Sequence, residues 1–321
     1  MHCKLDINYH LYHTKMIGGK MYINTFESVK DKNSSNINIH WYPGHMTKAK
    51  RVMKEDMKLI DLVIELVDAR VPLSSRNPDI DVLGQNKARV VLLNKSDLAD
   101  EKLSEQWAVY FREKGYYVLK TEARNRSSFN AILPIIQEAC KVKIERDKRR
   151  GIMNRPVRAM VTGIPNVGKS TFINSYARKA STKTGNKPGV TRGNQWIRLD
   201  KSLELLDTPG ILWPKFEDQI VGLKLALIGS IKDDLLDKNE LAIQFIKYLK
   251  VNYSGVLNKR YEIDESLGEY DILKQIAVSR SCLLKGGEYN IDKAAMILLD
   301  DFRSGKLGKI TLESPFVKGD L

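Results

Sequence analysis

Residues 163–171 read GIPNVGKST. The apolar run VRAMVTG (157–163) precedes this stretch and predicts a buried strand, and KSTFINSYARKA (169–180) follows it with a pattern that predicts a helix. A glycine-rich turn that ends in Lys-Ser between a strand and a helix is typical of a phosphate-binding loop, because backbone N–H groups and the helix N-terminus face the phosphates. The stretch therefore predicts a nucleotide-binding α/β domain.

Six consecutive loop residues are expected to contact the nucleotide: Asn166, Val167, Gly168, Lys169, Ser170 and Thr171. The Lys169 ammonium would reach the β- and γ-phosphates, and the Ser170 hydroxyl would bind Mg²⁺. These assignments depend on the strand before the loop and the helix behind it, which is the context that the motif requires.

Two later stretches complete the phosphate half of the site. DTPG follows the apolar run LELLD, so Asp207 would hold Mg²⁺ through water and the Gly210 N–H would sense the γ-phosphate. Thr191 lies in the polar stretch PGVTR and would join the metal shell as part of a first switch.

A second motif reads the base. NKSD, which is Asn94, Lys95, Ser96 and Asp97, ends the apolar run RVVLLN. The Asp97 carboxylate could accept from guanine N1–H and the exocyclic amine, a pair of donors that adenine does not offer. Asn94 would meet the other edge of the base, and the stem of Lys95 would lie along the ring. Ala123, at the end of the next predicted strand, would contact the guanine oxygen through its amide.

The base-reading motif precedes the phosphate loop, which reverses the order of ordinary GTPases. Domain termini often lie close together, so a chain can be joined at its old ends and cut elsewhere while the site survives. Because both motifs stand at strand ends, the reversed order predicts a circularly permuted G domain.

Strand and helix patterns alternate around these motifs. Apolar strands at 62–67 and 89–94 are followed by a helix at 104–115 and a third strand. A long helix at 129–148, interrupted or starting near Pro134, leads to VRAMVTG. Beyond about residue 219 the strand patterns end and helical stripes follow. The predicted fold class is α/β: a circularly permuted P-loop GTPase domain, with a mostly parallel sheet and helices on both faces, followed by a small all-helical domain. The predicted domains are a flexible extension (1–36), the G domain (37–218) and the helical domain (219–321).

Composition indicates a cytoplasmic protein with an anionic partner. No apolar run is long enough for a membrane span or a secretion signal, and the three cysteines have no metal-like spacing. Acidic and basic residues balance over 220–321, so the net charge of +14 lies within residues 1–219. It is concentrated at 141–158 and 178–201, where a basic surface could bind RNA.

The chain resembles the circularly permuted GTPases of the ribosome biogenesis GTPase A family across nearly all of residues 37–315. The matching stretches are INIHWYPGHMTKAK, ELVDARVPLSSRNP, LLNKSDL, GIPNVGKST, KTGNKPGVT and LLDTPGILWPKFED. The resemblance implies a monomeric, cytoplasmic enzyme that hydrolyses GTP to GDP in late assembly of the bacterial large ribosomal subunit. It also implies that the precursor of that subunit stimulates hydrolysis and that the helical domain contacts ribosomal RNA.

Ile211 stands where many GTPases carry a glutamine that positions the attacking water. The family resemblance instead points to His45 of WYPGH as the residue that orients the water, which a histidine can do near neutral pH. It also suggests that Asn166 binds K⁺. Two alternatives stay open at this point: a nucleotide-gated RNA-binding scaffold whose hydrolysis is incidental, and a GTPase that acts on another RNA.

Overall fold

A six-stranded sheet forms the centre of the protein, which we describe from a computed structural model over residues 45–122, 130–153, 155–181, 195–198, 201–208, 219–231 and 236–315. The strands lie in the order β3-β2-β1-β4-β6-β5. Their bounds are Leu62–Asp68 (β1), Ala88–Asn94 (β2), Tyr117–Thr121 (β3), Val157–Thr162 (β4), Gln195–Arg198 (β5) and Leu203–Asp207 (β6). Only the β5–β6 pair is antiparallel, so the predicted mostly parallel sheet is confirmed.

Helices connect the strands and then follow them. Their bounds are His45–Met57 (α1), Asp79–Leu83 (α2), Glu101–Glu113 (α3), Ile132–Ala139 (α4), Lys141–Arg149 (α5), Lys169–Ser181 (α6), Gln219–Leu227 (α7), Lys238–Asn252 (α8), Val256–Tyr261 (α9), Glu269–Ser279 (α10) and Ile291–Arg303 (α11). Within the described ranges, none of them is both long and apolar enough to cross a bilayer.

Both faces of the sheet are covered because its central strands are apolar on both sides. All seven residues of β1 are buried. Leu66 belongs to the larger apolar cluster, which includes residues of α1, α4 and α6, and Val67 belongs to a smaller cluster around Trp107 and Phe111 of α3. A parallel strand that is buried on both faces reads as a continuous apolar run, which is the pattern of 62–67.

The sheet order explains why the reversed motifs are compatible with one site. Strand β4 leads into the phosphate loop and β2 leads into NKSD, and β1 pairs with both in parallel. The two motifs thus follow strands that are only two positions apart, about 10 Å in the plane of a sheet. Their carboxyl ends meet at one edge, which we call the nucleotide edge.

Helix bounds differ from the prediction in two places. Helix α3 begins at Glu101 rather than at 104, because the Asp100 carboxylate caps it by accepting from the Leu103 N–H at 2.9 Å. The helix predicted over 129–148, with an interruption or start near Pro134, is two helices, α4 and α5. They are separated at Cys140, whose φ of −102° and ψ of 10° leave the helical region.

From Gln219 onward the described residues form helices and one isolated bridge between Leu283 and Tyr289. The chain then returns to the sheet, where the Ile310 N–H donates to the Leu98 carbonyl at 3.1 Å and the Leu312 N–H donates to Arg70 at 2.7 Å. The larger apolar cluster also runs from the sheet into α8 and α11 without a break. These contacts do not test the predicted domain boundary at 218/219, which stays a prediction. Residues 1–36 lie outside the described residues.

Candidate guanine-nucleotide site

The phosphate loop follows β4 directly and so lies at the nucleotide edge. Gly163 has a φ of +153°, and a Cβ there would lie 2.7 Å from the Leu66 carbonyl oxygen, so the close approach of the loop to β1 requires glycine. Asn166 and Gly168 also have positive φ values, 59° and 104°. Helix α6 begins at Lys169, as the motif predicts. The loop therefore wraps around its own helix N-terminus, the geometry that binds phosphate.

Lys169 is almost completely buried within this loop. Its Nζ donates to the carbonyl oxygens of Gly163 at 2.9 Å and Ile164 at 3.0 Å. Burial lowers the pKa of Lys169 to about 8, and the nearby negative charge of Asp207 opposes part of that shift. A buried ammonium held by two carbonyls is poised to gain from an anion placed on the loop.

Two residues of the base-reading motif are hydrogen-bonded to the phosphate loop. The buried Asn94 Nδ2 donates to the Val167 carbonyl at 2.7 Å, and Lys95 Nζ donates to the Asn166 carbonyl at 2.9 Å. Residues more than 70 positions apart in the chain thus share one network. This contact joins the two halves of the site, although their order in the chain is reversed.

The other residues of NKSD shape the turn that carries the base contact. Lys95 adopts a left-handed conformation with a φ of 59°, and Ser96–Leu98 form one 3₁₀ turn. The Ser96 hydroxyl donates to the Thr121 carbonyl at 3.2 Å, which ties the turn to the end of β3. Asp97 lies exposed in this turn, where its carboxylate is accessible to a ligand.

A buried carboxylate that the sequence did not single out supports Lys95. Asp68 ends β1 and is fully buried. Arg70 donates to its two oxygens through Nε at 2.9 Å and Nη2 at 2.8 Å, and Lys95 Nζ donates to Oδ2 at 2.9 Å. Burial alone would raise the pKa of Asp68, but the charges of Arg70 and Lys95 hold it well below its usual range. We call this set of Asp68, Arg70 and Lys95 the edge cluster.

The sequence contains a pattern that indicates part of the edge cluster. Asp68 is the last residue of β1, which is mostly apolar, and polar residues at the carboxyl end of a parallel strand commonly face the site of an α/β protein. The sequence does not show that Lys95 also meets this carboxylate, because Lys95 follows a different strand, β2.

The phosphate loop also contacts the helical part of the chain. The Asn166 Nδ2 donates to the Gly229 carbonyl at 2.7 Å, and the Ser230 hydroxyl donates to the Pro165 carbonyl at 3.0 Å. Residues 229–230 follow α7 directly. The loop is thus linked on one side to NKSD and on the other to the first of the C-terminal helices.

The remaining predicted residues divide into three groups. Ser170 and Thr171 lie exposed at the start of α6, and Asp207 lies buried at the end of β6, beside Val161 of β4. His45 is the first residue of α1, and its side chain is outside the described part. Three residues lie outside the described residues altogether: Ala123, Thr191 and Gly210.

In sequence, the chain is similar to GTPases whose names refer to the ribosome. The family model described as 50S ribosome-binding GTPase matches residues 158–275. The protein named Ribosome biogenesis GTPase A from Bacillus cereus is 47% identical over 278 residues, which cover 86% of this chain and 94% of that protein. Its namesake from Thermotoga maritima is 31% identical over 275 residues, with coverage of 86% and 94%.

Solved structures agree with these relatives. A crystal structure of GNP-bound YlqF from T. maritima matches with a TM-score of 0.60 and 27% identity, covering 84% of this chain and 98% of that one. A GDP-bound YlqF structure matches with a TM-score of 0.59 and 26% identity, covering 83% and 99%.

Proposed function

The chain belongs to the ribosome biogenesis GTPase A family and is a GTP-hydrolysing enzyme of ribosome biogenesis, and from this premise we propose that it acts in late assembly of the bacterial large ribosomal subunit, whose precursor stimulates its GTP hydrolysis. The observation that carries a guanine-nucleotide site is the pair of hydrogen bonds from Asn94 and Lys95 to the phosphate loop. A partner in ribosome assembly is supported by the names of the relatives, and the large subunit is supported by the matched family description, 50S ribosome-binding GTPase. We further propose that the enzyme acts as a monomer in the cytoplasm.

At the base, the proposed reader is Asp97. Its exposed carboxylate would accept from the two guanine donors, while Asn94 and Lys95 position the turn against the phosphate loop. Adenine presents no matching pair of donors, so the arrangement selects guanine. Ala123 would add an amide contact to the guanine oxygen.

At the phosphates, Lys169 would exchange its two carbonyl partners for β- and γ-phosphate oxygens, and Val167, Gly168 and Thr171 would contribute backbone contacts from the loop. This exchange replaces neutral partners of a buried ammonium with charged ones, which strengthens each hydrogen bond. The Gly210 N–H would respond to the presence of the γ-phosphate.

The oxygen donors near the loop fit Mg²⁺, which prefers hydroxyl, carboxylate and phosphate oxygens. Ser170 would bind it directly and Asp207 would hold it through water, and Thr191 would complete the shell. When bound, Mg²⁺ neutralises charge on the β- and γ-phosphate oxygens. K⁺ remains a hypothesis: the Asn166 amide nitrogen donates to Gly229, and the amide oxygen of the same side chain is the atom that would bind the ion.

For hydrolysis itself, we assign the orientation of the attacking water to His45. His45 is the first residue of α1, and a side chain at a helix start could approach the γ-phosphate. The apolar Ile211 cannot supply this function.

The direct test is GTP turnover of the purified protein with and without large ribosomal subunits in K⁺ buffer. We expect strong stimulation by the subunit, loss of turnover with retained GTP binding in His45→Ala, and normal turnover in His40→Ala, the matched control five residues earlier. Bound GTP without stimulation would favour a nucleotide-gated scaffold or another RNA substrate. Equal turnover in Na⁺ and K⁺ would remove the K⁺ hypothesis.

A further inference from the structure

An open groove of about 390 Å³ lies on the β4–β6–β5 side of the sheet, away from the residues assigned to GTP. Five residues line it: Leu59, Arg158, Trp196, Arg198 and Glu204. The sheet register aligns Arg158 with Glu204 and Glu204 with Arg198 across three neighbouring strands. Trp196 stands two residues from Arg198 and so shares its face of β5. Paired strands, rather than a loop, therefore set the spacing of these side chains.

The groove is separate from the nucleotide edge. Arg158 and Glu204 each lie at the second residue of their strands, β4 and β6, whereas the phosphate loop follows the last residue of β4. A strand of six residues spans roughly 20 Å, so Arg158 and Glu204 lie toward the opposite edge of the sheet from the phosphates. Trp196 pairs with Leu206, the residue before Asp207. Because successive residues of a strand point to opposite faces, Trp196 and Leu206 lie on the other face of the sheet from the Asp207 side chain, and a ligand there would not take the place of GTP.

The chemistry of the groove is that of a stacking site with a basic rim. The Trp196 ring is 40% exposed, although a large aromatic side chain normally gains most from burial. The Arg158 guanidinium lies over this ring at 5.3 Å and donates through Nε to Glu204 at 3.2 Å. Proteins hold unpaired RNA bases by stacking them on aromatic side chains and on guanidinium planes beside a basic groove.

A basic helix extends the positive surface from the groove. Asp61 connects the two: its carboxylate accepts from the Arg158 N–H at 3.0 Å and lies 3.3 Å from Lys143 Nζ of α5. Exposed cations of α5 and its end therefore lie at the same edge of the sheet: Lys141, Arg146, Lys148, Arg149 and Arg150. Phosphates on either side of a bound base would find these charges within reach.

We propose that this groove binds an unpaired nucleotide of RNA. The base stacks on Trp196, the Glu204 carboxylate accepts from N–H donors on the edge of the base, and the flanking phosphates lie against Arg158, Arg198 and α5. The choice of RNA over another polyanion rests on the proposed function in ribosome assembly, but the site itself requires neither GTP nor the subunit.

Binding of a short, unstructured, fluorescently labelled RNA to the full-length protein, followed by anisotropy, tests the site. We expect Trp196→Ala and Trp196→Leu to weaken binding about tenfold, since base stacking on an aromatic side chain is lost, and Trp196→Phe to retain most of it. Val109→Ala is the control, because Val109 is likewise 40% exposed but stands on α3, which packs against β2 and β3 at the other end of the strand order. Arg198→Ala should make the RNA affinity less dependent on salt concentration, by about the amount expected for the loss of one phosphate contact.

Two results would overturn the proposal: no binding of the RNA by the wild-type protein, or equal weakening by Trp196→Ala and Val109→Ala. GTP affinity measured on each variant checks that the fold is intact, and Trp196→Leu keeps an apolar side chain on the edge strand if Trp196→Ala does not fold. If large subunits fail to stimulate turnover while the RNA still binds through Trp196, the proposed function fails and the groove stands.

Discussion

Two buried carboxylates on β1, three residues apart, are each held by two cations, but they serve different regions of the protein. Asp68 at the nucleotide edge meets Arg70 and Lys95 in the edge cluster. Glu65, near the middle of the strand and on the other face, meets Arg76 at 3.0 Å and Arg89 at 2.9 Å. We call Glu65, Arg76, Arg89 and Asp81, which also pairs with both arginines, the mid-strand cluster.

The difference lies in what each cluster positions. The mid-strand cluster joins β1, β2 and the segment around α2, and Tyr116 lies beneath both of its arginines. The edge cluster fixes Lys95 of the base-reading motif, and its Arg70 lies 5.1 Å from the Phe302 ring of α11 and donates to the Arg303 carbonyl at 3.4 Å. Similar chemistry therefore stabilises the fold in one place and connects the candidate site to the C-terminal helices in the other.

The largest expected effect comes from removing either carboxylate. Asp68→Ala and Glu65→Ala should each lower the free energy of unfolding by about 3–5 kcal/mol, because each leaves buried cations without their partner. Only Asp68→Ala should also weaken GTP binding, since only it releases Lys95. Urea unfolding and nucleotide titration measure the two quantities, with Asp68→Asn and Glu65→Gln as milder variants if the alanine forms do not fold. Equal losses of GTP affinity in Asp68→Ala and Glu65→Ala would show that the two clusters do not serve different regions of the protein.

A smaller effect is expected at the contact that joins the two motifs. Asn94→Ala leaves the Val167 carbonyl without its 2.7 Å donor, which should cost about 1–3 kcal/mol of stability and at least as much in GTP affinity. Asn77→Ala is the matched control, because Asn77 is also buried and its side chain accepts from the Asp79 N–H at 3.0 Å, a contact that belongs neither to NKSD nor to the phosphate loop. It should lose stability alone. Titration with GTP distinguishes the two, and unchanged affinity in Asn94→Ala would contradict the role assigned to this contact.

Lys169 differs from the cations of the two clusters, because its ammonium group is held by carbonyl oxygens and not by a carboxylate. This difference predicts a pH dependence. The pKa of Lys169 is lowered to about 8 in the folded protein, against an ordinary value of 10.5. Between these values the unfolded chain binds more protons than the folded one, so the free energy of unfolding of the nucleotide-free protein should rise with pH across that window. Phosphates on Lys169 would raise its pKa, so GTP binding should take up a proton near pH 8, and affinity should fall by up to about tenfold per pH unit above it.

Calorimetry in two buffers of different ionisation enthalpy measures that proton uptake. GMP is the matched control, because its single phosphate does not reach the β- and γ-positions that Lys169 would contact. Equal uptake with GTP and GMP would show that Lys169 is not the group that titrates.

Much of the architecture could be predicted because it depends on local patterns. The apolar run at 62–67 and the Gly-rich turn at 163–168 specify a buried strand and a phosphate loop within a few neighbouring residues. The interruption predicted near Pro134 lies at Cys140 instead, because Pro134 is in the first turn of α4, where proline is tolerated.

Contacts across the sheet could not be predicted in the same way. Asn94 reaches Val167 and Asp68 reaches Lys95 only because β1 lies between β2 and β4, and strand order is not encoded in the pattern of any one segment. The family resemblance suggests that Asn166 binds K⁺. Its hydrogen bond to Gly229 could not be predicted, because it depends on where α7 ends, and the phosphate-loop motif does not specify this.

The smallest expected effect tests the ring beneath the mid-strand cluster. Tyr116 lies 5.3 Å from the Arg76 guanidinium and 4.9 Å from that of Arg89. Tyr116→Leu should therefore lower the free energy of unfolding by about 0.5–1 kcal/mol through loss of these cation–π contacts. Tyr116→Phe keeps the ring and removes only the 3.4 Å contact of its hydroxyl with Asp81, so it should stay near wild type. GTP affinity should be unchanged in both, because this cluster does not touch NKSD or the phosphate loop. A loss of affinity in Tyr116→Leu would mean that the two clusters on β1 are coupled through the strand, and that the mid-strand cluster also positions the site.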